Sequence, residues 1–123
     1  MLDTIQKESN VETKGISKKN LCDVTCPMGY AMNRIAGKWK LVILWHIYDK
    51  KVIRYGELKK CVGKITHKML SNQLKELVND NIIHKEIYHQ VPPKVEYSMS
   101  EHGKTLVPIM NLLVEWGEKN QKL

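Results

Sequence analysis

The residue types best suited to chemistry concentrate in residues 54–79. In the second half of that stretch Leu70, Leu74 and Leu77 fall at i, i+4 and i+7, the apolar stripe of a helix. At 100° per residue the opposite face carries Lys68, Asn72, Lys75 and Asn79, flanked by Ser71 and, at the start, by His67. These side chains match base edges: an ammonium donates to guanine O6 and N7, and a carboxamide pairs with adenine. Gln73 lies nearer the stripe and is the weaker candidate. The competing reading is an ordinary solvated helix face, and only the surrounding elements decide between the two.

A second chemistry is available in the thiols. Cys26 stands directly before Pro27, a residue suited to the first position of a helix. There the unpaired N–H groups and the helix dipole favour thiolate, the reactive form. Cys61 follows 35 residues later and reads first as a small buried apolar residue, while Cys22 reads as a bystander on a tail. Three cysteines, an odd number, and an N-terminus with no apolar h-region predict reduced thiols in the cytoplasm. Cys22-x3-Cys26 and scattered histidines at 46, 67, 84, 89 and 102 do not make the four close ligands of structural zinc, so no metal and no cofactor is expected. Phosphate loops, Gly-x-Ser-x-Gly and His-Glu-x-x-His are all absent, which predicts that the protein is not an enzyme.

Stepping outward, the elements that must hold these residues follow from pattern. Residues 1–21 are polar and aperiodic and are expected to be a flexible tail, with one domain over residues 22–123. A helix should start at Pro27 and stop at Gly37. Residues 38–48 are apolar nearly all round after the first turn and predict a buried central helix. Residues 52–54 allow little more than a strand bridge. Tyr55–Val62 should form a helix with Leu58 and Val62 inward, ended by Gly63, and Thr66 should cap the next helix. Residues 82–88 and 94–99 read as two strands, with Val95, Tyr97 and Met99 facing inward. The Pro92-Pro93 tip between them must be exposed. Ser100 should then cap one long helix carrying Leu106, Ile109, Met110, Leu113 and Trp116 on its stripe. This order is mainly α with a small β-wing, the layout of a winged helix-turn-helix.

Charge agrees with a polyanionic partner. The net charge is +7, and nine Lys/Arg against two acids in residues 27–64 account for all of it. Lys38, Lys40, Arg54, Lys59, Lys60 and Lys64 are expected to position phosphates, and Lys94, with His89 and Gln90 behind it, to touch DNA from the wing. Trp39, Trp45 and Trp116 sit on apolar helices, which favours packing or interface roles over base stacking. The longest apolar run, residues 41–45, is far too short to cross a bilayer. The last helix carries more apolar surface than a domain of this size can cover, which predicts a homodimer.

Several of these residues together carry a family resemblance. Cys26-Pro27, Gly37-Lys38-Trp39-Lys40 leading into Ile43-Leu44-Trp45-His46, and Lys68-Met69-Leu70 with Gln73-Leu74 and Glu76-Leu77 are three of its parts. Val91-Pro92-Pro93-Lys94-Val95-Glu96-Tyr97 and Glu115-Trp116-Gly117-Glu118 complete it. Over residues 22–119 the chain resembles the HxlR-type regulators, a MarR-like branch of the winged-helix proteins. The resemblance implies a dimeric transcription factor, joined through its N- and C-terminal helices, on a pseudo-palindromic operator in double-stranded DNA. It also implies that the cysteine at the position of Cys26 senses oxidants or electrophiles in some members and not in others. Cys26 joined to Cys61, to Cys22 or to Cys26 of the partner, and simple S-alkylation, all remain open at this point. Repression is favoured over activation, because no second domain is visible for contacting polymerase. The rival readings are a winged-helix module for protein interaction or for RNA, without thiol sensing.

Overall fold

The computed structural model describes residues 25–122; the tail expected over residues 1–21, and Cys22, lie outside the described residues. The chain divides into two compact units, Met1–Gly37 and Lys38–Leu123.

In the first unit, helix α1 (Pro27–Ile35) begins as expected, with Pro27 in its first turn and Cys26 as N-cap. The Cys26 carbonyl accepts from the Tyr30 N–H at 2.9 Å. The Arg34 guanidinium lies 3.8 Å from the centroid of the Tyr30 ring. Met28, Tyr30 and Met32 are exposed.

The second unit opens with α2 (Lys40–Lys50), two residues later at each end than the pattern predicts. Gly37, at φ +113°, delays the start. Nothing in Asp49-Lys50 breaks the ladder until Lys51, which turns to φ 69°. The helix is also less buried than expected: Ile43, Leu44 and Ile47 are fully enclosed, but Val42 is exposed and Leu41 and Trp45 are half-buried. Strand β1 (Ile53–Arg54) leads directly into α3 (Tyr55–Val62). The Glu57 carboxylate accepts from the Arg54 N–H at the start of that helix. Gly63, at φ +90°, ends it in a backbone conformation that a side chain resists.

Helix α4 (His67–Asn79) starts where Thr66 predicts, the threonine hydroxyl accepting from the Met69 N–H at 3.0 Å. Leu70, Leu74 and Leu77 are all buried, so the stripe read from the sequence is the face that meets the core. Strands β2 (Ile83–Tyr88) and β3 (Lys94–Met99) form the hairpin, and β1 pairs with β3 from the other side. The result is a three-stranded antiparallel sheet in the order β1-β3-β2. In β3, Tyr97 and Met99 are buried and Val95 is partly covered. The tip, including Val91, Pro92 and Pro93, is exposed.

The expected single C-terminal helix is two. A short α5 (Glu101–Lys104) is capped by Ser100 and followed by α6 (Val107–Asn120). Pro108 is the cause. It has no N–H for the Lys104 carbonyl, and its ring would collide with that turn, so the helix restarts with Pro108 in its first turn. Gly103 is required here for closeness: a Cβ would stand 1.9 Å from the Ile82 carbonyl oxygen. On α6 only Met110 is buried, while Ile109, Leu112, Leu113 and Trp116 are exposed. Among the described residues no helix is long and apolar enough to cross a membrane.

Candidate nucleic-acid interface

The polar face of α4 is presented to solvent as its spacing requires. His67, Lys68, Ser71, Asn72 and Lys75 are all exposed, and Gln73 is half-buried. Thr66 and the Gly63 turn fix where the helix begins, and the three buried leucines fix its rotation. Its N-terminal turn is therefore held by backbone and core alike.

A residue that sequence pattern did not single out tightens this turn further. The Tyr55 hydroxyl, at the start of α3, lies 3.0 Å from His67 Nδ1, 3.2 Å from the His67 carbonyl oxygen and 3.4 Å from Ser71 Oγ. The two rings stack at 5.8 Å between centroids and 16° between planes. All three contacts are satisfied when Tyr55 donates to the carbonyl while His67 Nδ1–H and Ser71 O–H donate to the phenol oxygen. Tyr55 thus works as a latch across the helix-turn-helix. The only signal for it in the sequence is an aromatic residue at the first position of a helix whose inward positions are Leu58 and Val62.

The lysines divide into two kinds. Lys60, Lys64 and Lys68 are exposed, and no protein group among the described residues pairs with them. Lys40 is different, and the expectation that it positions a phosphate is corrected. It is buried, with Nζ 2.6 Å from Glu76 Oε1 on α4. A charge on the first turn of a core helix is retained there because a carboxylate reaches it. Lys38 is exposed, with its ammonium 4.9 Å from the Trp39 ring centroid. Arg54 is exposed and Lys59 half-buried. On the wing, Lys94 lies 3.6 Å from Glu96 Oε2 and 4.5 Å from the Tyr88 ring centroid. Its charge is partly answered within the hairpin. The negative charge of Glu96 is also the main cause that pushes the Tyr88 phenol above its ordinary range. His89 and Gln90 are exposed beside it.

The two described thiols lie in different units, Cys26 half-buried as the N-cap of α1 and Cys61 on α3. Cys61 is exposed, which overturns its reading as a small buried residue. The inward positions of α3 are taken by Leu58, which is fully buried, and Val62, which is half-buried. One step before Val62, Cys61 turns outward. Among the described residues no group of three or more His, Cys, Asp or Glu is placed to hold a metal ion.

Comparison with known proteins agrees with this geometry. An uncharacterized HTH-type transcriptional regulator of Halalkalibacterium halodurans is 49% identical over 113 residues, covering 92% of this chain and 97% of that one. The redox regulator HypR in its oxidized form superposes with a TM-score of 0.76 at 46% identity, covering 80% of this chain and 100% of that one. Its reduced form gives 0.74 at 45% identity, covering 79% and 95%. A family model described as HxlR-like helix-turn-helix matches residues 34–123. The first of these relatives is named as a transcriptional regulator and the second as a redox regulator, and neither is named as an enzyme. With its winged helix-turn-helix in place, the chain belongs to the HxlR-like helix-turn-helix family of DNA-binding transcriptional regulators.

Proposed function

We propose that this protein acts in the cytoplasm as a homodimeric repressor on a pseudo-palindromic operator, reading bases with Lys68, Asn72, Ser71 and His67. Lys75 flanks them, and Lys60, Lys64 and Lys94 position the backbone. The observation that carries the reading is the exposed polar face of α4, capped by Thr66 and latched by Tyr55. Dimerisation is supported by α6, whose stripe leaves Ile109, Leu113 and Trp116 exposed next to a groove of about 220 Å³ lined by Leu41, Val42, Trp45, Met110, Leu113 and Val114. An apolar stripe left open on one helix is the kind of surface that a two-fold interface covers with its own copy. Exposed Met28, Tyr30 and Met32 on α1 offer a second apolar strip. The test is duplex binding against salt. Sequence preference together with a steep loss of affinity as salt rises is expected. Equal binding of RNA, or salt-insensitive capture of another protein, would falsify it.

A second reading of the same molecule is thiol control. It is supported by the accessibility of Cys61 within the helix-turn-helix, by Cys26 at a helix N-terminus, and by the likeness to a regulator titled redox and solved in oxidized and reduced forms. A hydroperoxide would take two electrons and two protons from a pair of thiols, leaving a disulfide, water and an alcohol. A quinone would instead add to one thiolate. Cys26 of one protomer to Cys61 of its partner is the favoured pair, since a bond on α3 shifts the reading helices together. Non-reducing gels of wild type, Cys26→Ser and Cys61→Ser separate the products. If oxidised wild type and Cys26→Ser release operator identically, Cys26 is not the sensor.

A further inference from the structure

Between the reading helix and the sheet lies a cavity of about 230 Å³. Leu74 and Val78 supply its apolar wall; Lys75, Lys85, Tyr55 and Tyr97 supply the polar one. Lys75 follows Ser71 by one turn of α4, and Lys85 stands opposite Tyr97 in the β2–β3 register, so both strand residues share one face of the sheet. Elsewhere the lysines near acids are answered: Lys40 by Glu76, Lys94 by Glu96, Lys104 by Glu101. Lys75 and Lys85 converge on one cavity with no acidic partner among the described residues. The Tyr97 ring is buried while its hydroxyl reaches solvent, and that hydroxyl makes no hydrogen bond to a described residue. Burial first, and the nearby Tyr55 second, push its phenol above the ordinary range, so it stays protonated and available to donate. Two lysines and a tyrosine therefore line one half-open hollow that no carboxylate lines, which gives an acceptor there three donors within reach.

We propose that this cavity is an oxyanion site, in which Lys75, Lys85 and the Tyr97 hydroxyl take the oxygens of one phosphate or carboxylate and Leu74 and Val78 meet any apolar remainder. Its link to regulation rests on α4 being the reading helix. The oxyanion has two sources: a backbone phosphate of the duplex, which must pass between a helix in the major groove and a wing beside it, or a small free organic acid. In either case the occupant lies against Tyr55, the group that fixes His67 and Ser71. Helical spacing assigns Lys75 to the polar face of α4 but does not bring Lys85 or Tyr97 to it, because those two meet α4 only through the sheet register.

The experiment uses the full chain in two arms, with Lys85→Gln as the variant and its unliganded melting temperature as the check on folding. Without DNA, thermal unfolding is followed against inorganic phosphate and against benzoate at constant ionic strength. A saturable rise in Tm that disappears in Lys85→Gln supports the site with a free anion as its occupant. With DNA, operator and random duplexes are titrated across a range of salt. A loss in Lys85→Gln by the same factor on both duplexes, roughly three- to tenfold, with a salt slope shallower by about 0.9, supports the site with a backbone phosphate. A Tm rise that survives Lys85→Gln, or no change in either arm, overturns the proposal. If wild type binds no duplex at all, the reading of α4 fails while the melting arm still decides the cavity.

Discussion

Two faces of the second unit set opposite problems for a single chain. The face built on α3 and α4 is polar, and its side chains are already organised: Thr66 caps the helix, Tyr55 holds His67 and Ser71, and Lys40 ties Glu76 on the far side. The face built on α2 and α6 is apolar and open, with Val42 and Leu113 41% and 49% exposed. Water satisfies the first face at no cost. It penalises the second by about 25 cal/mol for each Å² of apolar surface left uncovered. One chain can therefore complete the polar face alone, whereas the apolar face is the surface that the proposed second copy would cover.

The largest effect should come from reversing that second face. Leu113 lines the α2–α6 groove and is half-exposed. Leu113→Glu places a charge in the proposed dimer interface, and burying it unpaired costs several kcal/mol, on the order of 3–5. The expected outcome is a monomer in sedimentation, with operator affinity lost because two half-sites are no longer read together. A folded, dimeric Leu113→Glu protein would remove the distinction between the faces.

The next effect tests the strut behind α4. Glu76 is half-exposed, but its partner ammonium is enclosed. Glu76→Ala leaves that charge buried and unanswered, so stability should fall by about 2–3 kcal/mol, less than for a fully buried pair. Chemical denaturation measures it. The salt slope of duplex binding should stay where it was, since Lys40 does not face outward.

The two faces were not equally legible. Leu70, Leu74 and Leu77 sit at helical spacing behind a capping threonine, so periodicity and one local hydrogen bond fixed α4 before any tertiary contact was known. The break at Pro108 is equally local, but the apolar stripe continues on both sides of the proline and masks it. Tyr55, Lys40 and Lys85 are another matter. Their partners lie 12, 36 and 12 residues away in His67, Glu76 and Tyr97, and no periodicity encodes a contact made by folding. Residue type then misleads: a lysine reads as surface until its carboxylate is found, and a cysteine reads as core until the neighbouring Leu58 and Val62 prove to take the inward positions.

On the polar face itself, base readers and phosphate positioners should separate. Lys68→Ala and Asn72→Ala are each expected to lose about 1–3 kcal/mol of discrimination between operator and mismatched sites, with little change on random duplex. Lys60→Ala should weaken every duplex alike and make the salt slope shallower. Competition titrations distinguish the patterns. Full preference for operator in both α4 variants would move the reading surface to another element.

The smallest effect belongs to the latch, and it sharpens the contrast most. Tyr55→Phe keeps the ring that stacks on His67 and deletes only the hydroxyl shared by His67 and Ser71. Because these groups are exposed, water replaces the lost bonds, and stability should fall by less than about 1 kcal/mol. Recognition should suffer more than folding. Once untied, His67 and Ser71 regain rotamers that must be frozen again on DNA, at about 0.5–1.5 kcal/mol for each ordered side chain. The expected signature is a few-fold loss of operator preference with an unchanged salt slope, since no cation has been removed. Melting and competition titrations on one preparation give both numbers. Equal losses on operator and random duplex would reduce Tyr55 to a packing residue, leaving the capped helix alone to organise this face.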